Sequence, residues 1–490
     1  MRSKRPSAMA AITLPGLLWL AGCSGAPPPP PEPPPVRRPS VLLLVVDTLR
    51  ADRLGSYGCP LPTSPNLDRL AARGVRLADV TAQWPRTWPS MGSFMSGAWP
   101  RSTGIRLTRR VVPDEITMLP EIFKGAGYHT GAVVANYNVG RATGFQQGFD
   151  HFVEPWIERV RTDEQGKPMV KVTGEWAKEN TDAKLVNDQG VKWLRSIPAG
   201  EPFFLWMHYM ETHGPYLPPP GYAEMFKGAY PAQAAPPQAI PPYQLQPDPA
   251  TGRPSLDLAF YKAQYDREVR HADTQIGLFL DEVEEARPGE PLLIVFMSDH
   301  GESLDEHGYY LDHGRFSYQP TAHVPVILAG GAALPPGRVL EEPVGLIDVS
   351  RSLVELAGLE VPGSFEGTSL VPLLGGEPGP IPAHVFMESG DIEESPQLTV
   401  RHGRWKLIEV LAEEDRAGMT GSRFELYDLD EDPGERRNLA AEHPGIVEAL
   451  GSLLKAYREG LPIVAPGEAV DMDTLDEKSR EMLRSLGYIE

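Results

Sequence analysis

Two apolar runs in this 490-residue chain break off at an aspartate: "SVLLLVVDTLRAD" at Asp47, and "PLLIVFMSDHGES" at Asp299, with His300 following. Two hard carboxylates and one imidazole are a donor set for a divalent metal ion. A lone aspartate at a strand end is more commonly a cap or a loop organiser. The pair says more, because "SDHGESLDEHG" crowds Asp299, His300, Glu302, Asp305, Glu306 and His307 beside a core run. So much ionisable chemistry there calls for a compensating cation or water. A hydroxyl belongs to the same chemistry. In "QWPRTWPSMGSFMSG", Thr87 stands two residues before Pro89 at the head of a helix-like stretch. A bound cation lowers the pKa of a coordinated hydroxyl and holds it for in-line attack, and a helix start turns backbone N–H groups toward a transferred anion. Capping that helix is the competing role for Thr87.

These residues need rigid elements to bring them together. A run that is apolar on both faces, as Val41 to Val46 is, suits a buried parallel strand. "HTGAVVAN" is a further short strand, finishing at Asn136, and "PFFLWMHYMETHGPYLPP" is another, running into His208, Glu211 and His213. "TSPNLDRLAARG" reads as a helix with Ser64 as N-cap, Pro65 at its first position and Gly74 past its end. From Leu256 to Ala286 a helical period sets Phe260, Ala263, Val269, Ile276, Phe279, Leu280 and Val283 on one face. That helix leads into the run ending at Asp299, and strand, helix and strand in this order argue for a parallel α/β sheet. Both aspartates then fall on the carboxyl edge, where loops converge on ligands in open α/β sheets. The proline-rich stretch from Leu217 to Pro254 reads as a surface excursion. After about residue 380 the segments become shorter and more polar, so residues 40–380 form the expected main domain and 381–490 a smaller α+β subdomain with a tail.

Composition narrows the partners. With 46 basic against 66 acidic residues and a formal net charge of −20, nucleic acid and anionic lipid surfaces are disfavoured. Arg2, Lys4 and Arg5 precede "MAAITLPGLLWLAG" and Cys23; the apolar part is too short and too broken by Pro15 and Gly16 to span a bilayer, so residues 1–22 read as a cleaved export signal. "LAGC" resembles a bacterial lipobox, which makes Cys23 the lipidated first residue of the mature chain. Ser24 then suits the outer membrane, and the expected location is the cell envelope, held by a lipid anchor alone. Residues 23–39 follow as a stiff proline-rich tether. Cys59 is the one other cysteine, which leaves no internal disulfide framework.

The segments "VVDTLRADRLGSYG", "TSPNLDRLAARGVRLADV", "TWPSMGSFMSGAWPRSTGI", "HYMETHGPYLPP", "SDHGESLDEHGYYLDHG" and "LYDLDEDPGERRNL", with the closing "LRSLGYIE", resemble the sulfatases, within the wider superfamily that includes alkaline phosphatase. The resemblance covers nearly everything from residue 40 onward. It implies a large, mostly parallel sheet flanked by helices, and a metal-dependent hydrolase of sulfate or phosphate esters. Carried over by position, Asp47, Asp299 and His300 match metal ligands and Thr87 matches the nucleophile, itself a ligand. Asn136 lies near substrate-contacting positions, His213 matches the histidine that assists the leaving group, and His313 sits where many sulfatases grip the anion with a lysine. One divalent ion is implied, with calcium, manganese and zinc equally compatible. A two-metal variant would draw on Glu211, His213 and His313, and His307 is a candidate supporting group or a plain loop histidine.

Departures from the family pattern shape the chemistry. Where many sulfatases carry Cys or Ser in Cys/Ser-x-Pro-x-Arg, this chain has Thr87, Trp88, Pro89, Ser90 and Met91. Oxidation of threonine cannot yield the formylglycine aldehyde, so none is expected. Thr48 stands in place of a common aspartate and His300 in place of a common asparagine. A threonine nucleophile with an Asp–His metal pair resembles phosphodiesterases and phosphotransferases that work through phosphothreonine. Sulfate and phosphate esters, carried on a glycan or a lipid, are both expected substrate classes, since each reaction transfers a tetrahedral anion. A non-catalytic binder of sulfated or phosphorylated glycans is the reading from a different class.

Overall fold

The computed structural model describes residues 38–106, 110–155, 182–236, 238–247, 251–331, 333–390, 397–411, 423–461, 467–471 and 475–485. The expected export signal, Cys23 and the expected tether up to residue 37 lie outside these residues. In chain order the strands are β1 (Ser40–Val46), β2 (Gly74–Leu77), β3 (Val80–Thr81), β4 (His129–Val134), β5 (His151–Val153), β6 (Phe203–Tyr209) and β7 (Leu292–Ser298). Then come β8 (Val326–Gly330), β9 (Arg338–Leu340), β10 (Val344–Gly345), β11 (Val385–Ser389), β12 (Gln397–His402), β13 (Trp405–Val410) and β14 (Phe424–Asp428). Eight of them form one sheet in the order β5-β4-β6-β1-β7-β8-β2-β9. All its pairings are parallel except those of β8, which runs against both β7 and β2. β3 and β10 form a separate short parallel pair.

The apolar runs become central strands because both faces of the sheet are covered. Leu42, Leu44 and Val46 of β1 join one core cluster, and Val41, Leu43 and Val45 join the other, as alternation along a strand requires. The first cluster is closed by α1 (Pro65–Ala72), α3 (Ala183–Leu194) and α4 (Leu258–Ala286); the second by α2 (Thr87–Ser96) and α5 (Leu346–Leu356). On α4 the expected face is buried at Ala263, Val269, Ile276, Phe279 and Val283, while Phe260 and Leu280 sit at its margin, partly covered. Ser64 does occupy the N-cap position of α1, but its side chain makes no cap bond. The hydroxyl is engaged elsewhere, accepting from the Gly55 backbone N–H at 2.8 Å and bonding Asp68 at 3.1 Å.

Register levels the strand ends that carry the chemistry. Val46 lies opposite Tyr209 of β6 on one side and Ser298 of β7 on the other. Asp47 and Asp299 are each the next residue, so two carboxylates emerge side by side at one edge. Val134 of β4 pairs with His208 of β6, which brings Asn136 to the same edge.

Beyond residue 380, β11 to β14 form an antiparallel four-stranded sheet in sequence order. Leu398, Val400, Leu407 and Leu426 of that sheet pack with Leu450 and Leu454 of α6 (Pro444–Gly460) around a core of their own. Among the described residues no helix is long and apolar enough to cross a membrane.

Candidate active site

The turn after β1 sets the site. Thr48 has φ 59, a left-handed conformation that a β-branched residue rarely adopts. There its backbone N–H reaches Asp299 Oδ1 at 3.2 Å, and its carbonyl accepts from the Tyr265 hydroxyl at 2.7 Å. Ser298 ties the two strand ends together, donating to Val46 O at 2.7 Å and accepting from the Leu49 N–H at 2.9 Å. The Thr212 hydroxyl donates to the Asp47 carbonyl. The His300 N–H donates to Asp299 Oδ1 at 2.9 Å, which leaves Asp299 Oδ2 with no hydrogen-bond partner. Asp47 Oδ1 is likewise without one, and both carboxylates are fully buried.

His300 completes the set. Its Nδ1 faces the Gly301 carbonyl at 2.9 Å, so that nitrogen carries the proton and Nε2 presents a lone pair. That Nε2 lies 3.8 Å from Asp47 Oδ1 and 3.6 Å from Asp299 Oδ2. Ligand atoms of Asp47, Asp299 and His300 all lie within 4.8 Å of one another. Two orphaned carboxylate oxygens and an imidazole lone pair, buried together, have the chemistry of a divalent-cation site. The proton affinities agree: burial pushes Asp47 up to about 8, helped by the Asp299 charge, and pushes Asp299 up to about 7. Burial holds His300 below the usual imidazole range. A cation among these groups would reverse the pressure on the carboxylates.

Thr87 is the first residue of α2, and Arg86, not Thr87, holds the cap position. Its hydroxyl therefore does not cap the helix and points into the cluster. Thr87 Oγ1 lies 3.4 Å from Asp47 Oδ2, 3.3 Å from His300 Nε2 and 3.4 Å from Asn136 Nδ2. Asn136 Nδ2 also donates to Asp47 Oδ2 at 2.5 Å. The Ser90 hydroxyl, one turn along α2, donates to the Asp299 carbonyl at 2.6 Å and fixes the helix against the strand end.

His213 and His313 come from different loops and meet here. Their ring centroids are 5.2 Å apart, and His313 lies 4.5 Å from the His300 ring. His213 Nδ1 faces the Gly214 carbonyl at 2.8 Å. His313 Nδ1 lies 3.2 Å from Oε1 of the fully buried Glu302. Burial and the neighbouring imidazoles hold His313 well below the usual range, while burial and the Asp312 charge hold Glu302 well above its own.

Other expectations change. Glu211 does not group with His213 and His313; its Oε1 accepts from the Ala183 N–H at 2.5 Å, and it clusters with Asp182 and His271. His307 stacks on Tyr318, with centroids 3.6 Å apart, in a cavity of about 1150 Å³ whose lining includes neither Asp47 nor Thr87. Residue order puts His208 near the end of β6 but does not disclose its surroundings. His208 is fully buried, with neither ring nitrogen hydrogen-bonded and Nε2 3.9 Å from Asp47 Oδ2. Burial, followed by the charges of His300 and His213, pushes it down to about 3.

The profile of the family described as Sulfatase matches residues 39–359, and that described as N-sulphoglucosamine sulphohydrolase, C-terminal, matches residues 305–459. A choline-sulfatase of Rhizobium meliloti is 24% identical over 92% of each chain. In three dimensions the chain is similar to a protein solved in complex with its substrate D-glucosamine-2-N,6-O-disulfate, with TM-score 0.68 and 20% identity over 90% of this chain and 100% of that one. It is also similar to a phosphonate monoester hydrolase from Silicibacter pomeroyi, with TM-score 0.66 and 22% identity over 87% and 96%.

Proposed function

The chain belongs to the sulfatase family of ester hydrolases, and from that premise we propose that it transfers the sulfuryl or phosphoryl group of an ester to Thr87 and then releases it to water. The observation that supports this most is the approach of Thr87 Oγ1 to Asp47, His300 and Asn136, at 3.3–3.4 Å from each. Asp47, Asp299 and His300, with Thr87, would hold one divalent cation, which supplies charge neutralisation and Lewis acidity when bound. Calcium, manganese and zinc all suit that donor set.

In the first half-reaction the bond from Thr87 Oγ1 to sulfur or phosphorus forms as the ester bond breaks. Asp47 Oδ2 is the carboxylate oxygen within reach of the departing threonine proton. His213 donates a proton or hydrogen bond to the leaving oxygen, a role typically worth ~10²- to 10⁴-fold in rate. Asn136 and His313 donate to the non-reacting oxygens. Water then attacks sulfur or phosphorus, the bond to Thr87 breaks, and the hydroxyl is restored. No formylglycine enters this scheme.

Sulfate esters are the first substrate class, in line with the relatives' names. Phosphate and phosphonate esters are the second, favoured by threonine at a position where oxidation gives no aldehyde. The envelope location, with lipid on Cys23 and residues 23–39 as tether, belongs to the same proposal and is checked by metabolic labelling with a fatty acid in the wild type and Cys23→Ala. The reaction is tested with aryl sulfate, phosphate monoester, phosphodiester and phosphonate monoester, using wild type and Thr87→Ala with each cation added back. Turnover of one class that Thr87→Ala loses supports the reading; equal rates for the two proteins, or no turnover of any class, sinks it.

A further inference from the structure

Two histidines of the C-terminal sheet take no part in the cluster around Thr87. His384 immediately precedes β11, and His402 is the last residue of β12. Val385 pairs with Arg401 in the antiparallel ladder, so one step further outward His384 stands opposite His402. Side chains placed in this way share a face of the sheet and meet across the strands. By alternation the same face carries Phe386 and Val400, which pack toward α6, and the Phe386 ring stacks on Tyr457 of that helix at 4.4 Å. The two histidines lie at the open end of this face, His402 exposed and His384 partly so.

Their nitrogens are close. His384 Nδ1 lies 3.2 Å from His402 Nδ1, and His402 Nδ1 lies 2.8 Å from the Ala383 carbonyl. One proton serves all three: carried on His402 Nδ1, it is donated to the carbonyl oxygen and faces the lone pair of His384 Nδ1. Burial, followed by the charge of His402, holds His384 below the usual imidazole range, which keeps that lone pair available. Two imidazole nitrogens and a carbonyl oxygen that converge on one proton are equally donors for a divalent ion that prefers nitrogen. The spacing agrees with this. At zinc–nitrogen distances of about 2.0–2.1 Å, a separation of 3.2 Å subtends an angle of roughly 100–106° at the ion, close to the tetrahedral value that zinc adopts. Two rings placed side by side without regard to a shared proton or ion have no reason to meet nitrogen to nitrogen at that spacing.

We propose that His384 and His402 form a cross-strand chelate for a borderline divalent ion of the zinc kind, separate from the cation site at Asp47, Asp299 and His300. On uptake of the ion the proton on His402 Nδ1 passes through solvent to Nε2, so the ring stays neutral and its Nδ1 lone pair is freed. The Ala383 carbonyl is then in reach as a third donor, and water fills the remaining position. The ion would tie the first strand of the C-terminal sheet to the second at the point where the chain enters that sheet. Nitrogen donors give this site a preference opposite to that of the carboxylate cluster, because calcium and magnesium favour oxygen. The inference does not depend on the reaction assigned to Thr87.

Zinc binding is followed by calorimetry, with calcium in excess to fill the oxygen sites, for the wild type, His384→Ala and His402→Ala. Both positions lie at an open end of the sheet, so each variant checks the other. The wild type should bind one zinc ion that each variant binds at least ~10- to 100-fold more weakly, a loss that removal of even a supporting partner of a metal ligand produces. Zinc should also raise the urea midpoint of the wild type further than that of either variant. In zinc-soaked crystals an anomalous peak should lie about 2.0–2.1 Å from both Nδ1 atoms. Equal zinc stoichiometry and affinity in the three proteins, or anomalous peaks that avoid the pair, overturns the assignment.

Discussion

Replacing Asp47 by asparagine should stabilise the metal-free protein and weaken the cation-loaded one. Asp47 and Asp299 are fully buried neighbours, and burial raises Asp47 from 3.8 to about 8. A carboxyl whose folded pKa lies above its unfolded value gives stability that is complete at low pH. That contribution declines as pH rises from about 4 to about 8, because the unfolded chain has already lost the proton. The interval from 3.8 to about 8, at ~1.4 kcal/mol per pH unit, bounds the cost at roughly 6 kcal/mol. Local water entry and the coupled titration of the neighbouring Asp299 bring our expected value to about 2–3 kcal/mol. In urea unfolding with chelator present, the wild type should lose stability between about pH 4 and about pH 8, and Asp47→Asn should lose markedly less. With a divalent cation at a hundred times its Kd the wild type should gain about 2.7 kcal/mol, and the variant little. The same linkage makes cation binding release protons near neutrality, so affinity should fall as pH drops below about 7. Equal pH dependence in the two metal-free proteins, or an equal gain from the cation, would refute the reasoning.

Three further outcomes follow from the contacts. His213→Gln should slow esters with poor leaving groups by ~10²- to 10⁴-fold and activated aryl esters far less; a uniform loss across a leaving-group series would remove His213 from that role. Glu388 is fully buried and bridges Arg101 at 3.2 Å, Arg106 at 3.1 Å and the Tyr457 hydroxyl at 3.1 Å. Glu388→Ala removes the buried carboxylate that Arg101 and Arg106 share and should cost about 3–5 kcal/mol in urea unfolding, against a change below about 1 kcal/mol if the cluster is only incidental. His208→Leu removes two buried nitrogens that have no hydrogen bond, so the metal-free protein should unfold at an equal or higher urea concentration; a clear loss of stability would mean that the ring is needed for packing.

Much of the site can be read from residue order because it lies at the ends of buried runs. Val41 to Val46 and Leu292 to Ser298 announce buried strands, and parallel pairing then brings Asp47 and Asp299 side by side. Thr87 is legible as the head of a helix, but the direction of its hydroxyl is not. Cap and cluster are equally consistent with "RTWPS" until α2 is docked on the strand end through Ser90. His208 is hidden for a different reason: inside "PFFLWMHY" it looks like one more strand residue, and only the β1–β6 register sets it beside Asp47. The same limit explains Glu211, which lies two residues from His213 yet joins Asp182 and His271. The β2 and β9 strands, at three or four residues each, are too short for a periodicity to declare itself, so the far edge of the sheet emerges only from tertiary pairing.

The most direct test of the account is the mass of the protein after rapid quenching during turnover, followed by peptide mapping. The account predicts a covalent sulfuryl or phosphoryl adduct on the peptide containing Thr87, absent from Thr87→Ala, which should also be slower by about 10³- to 10⁶-fold. An adduct on another residue, or a Thr87→Ala protein that turns over substrate at the wild-type rate, would contradict it.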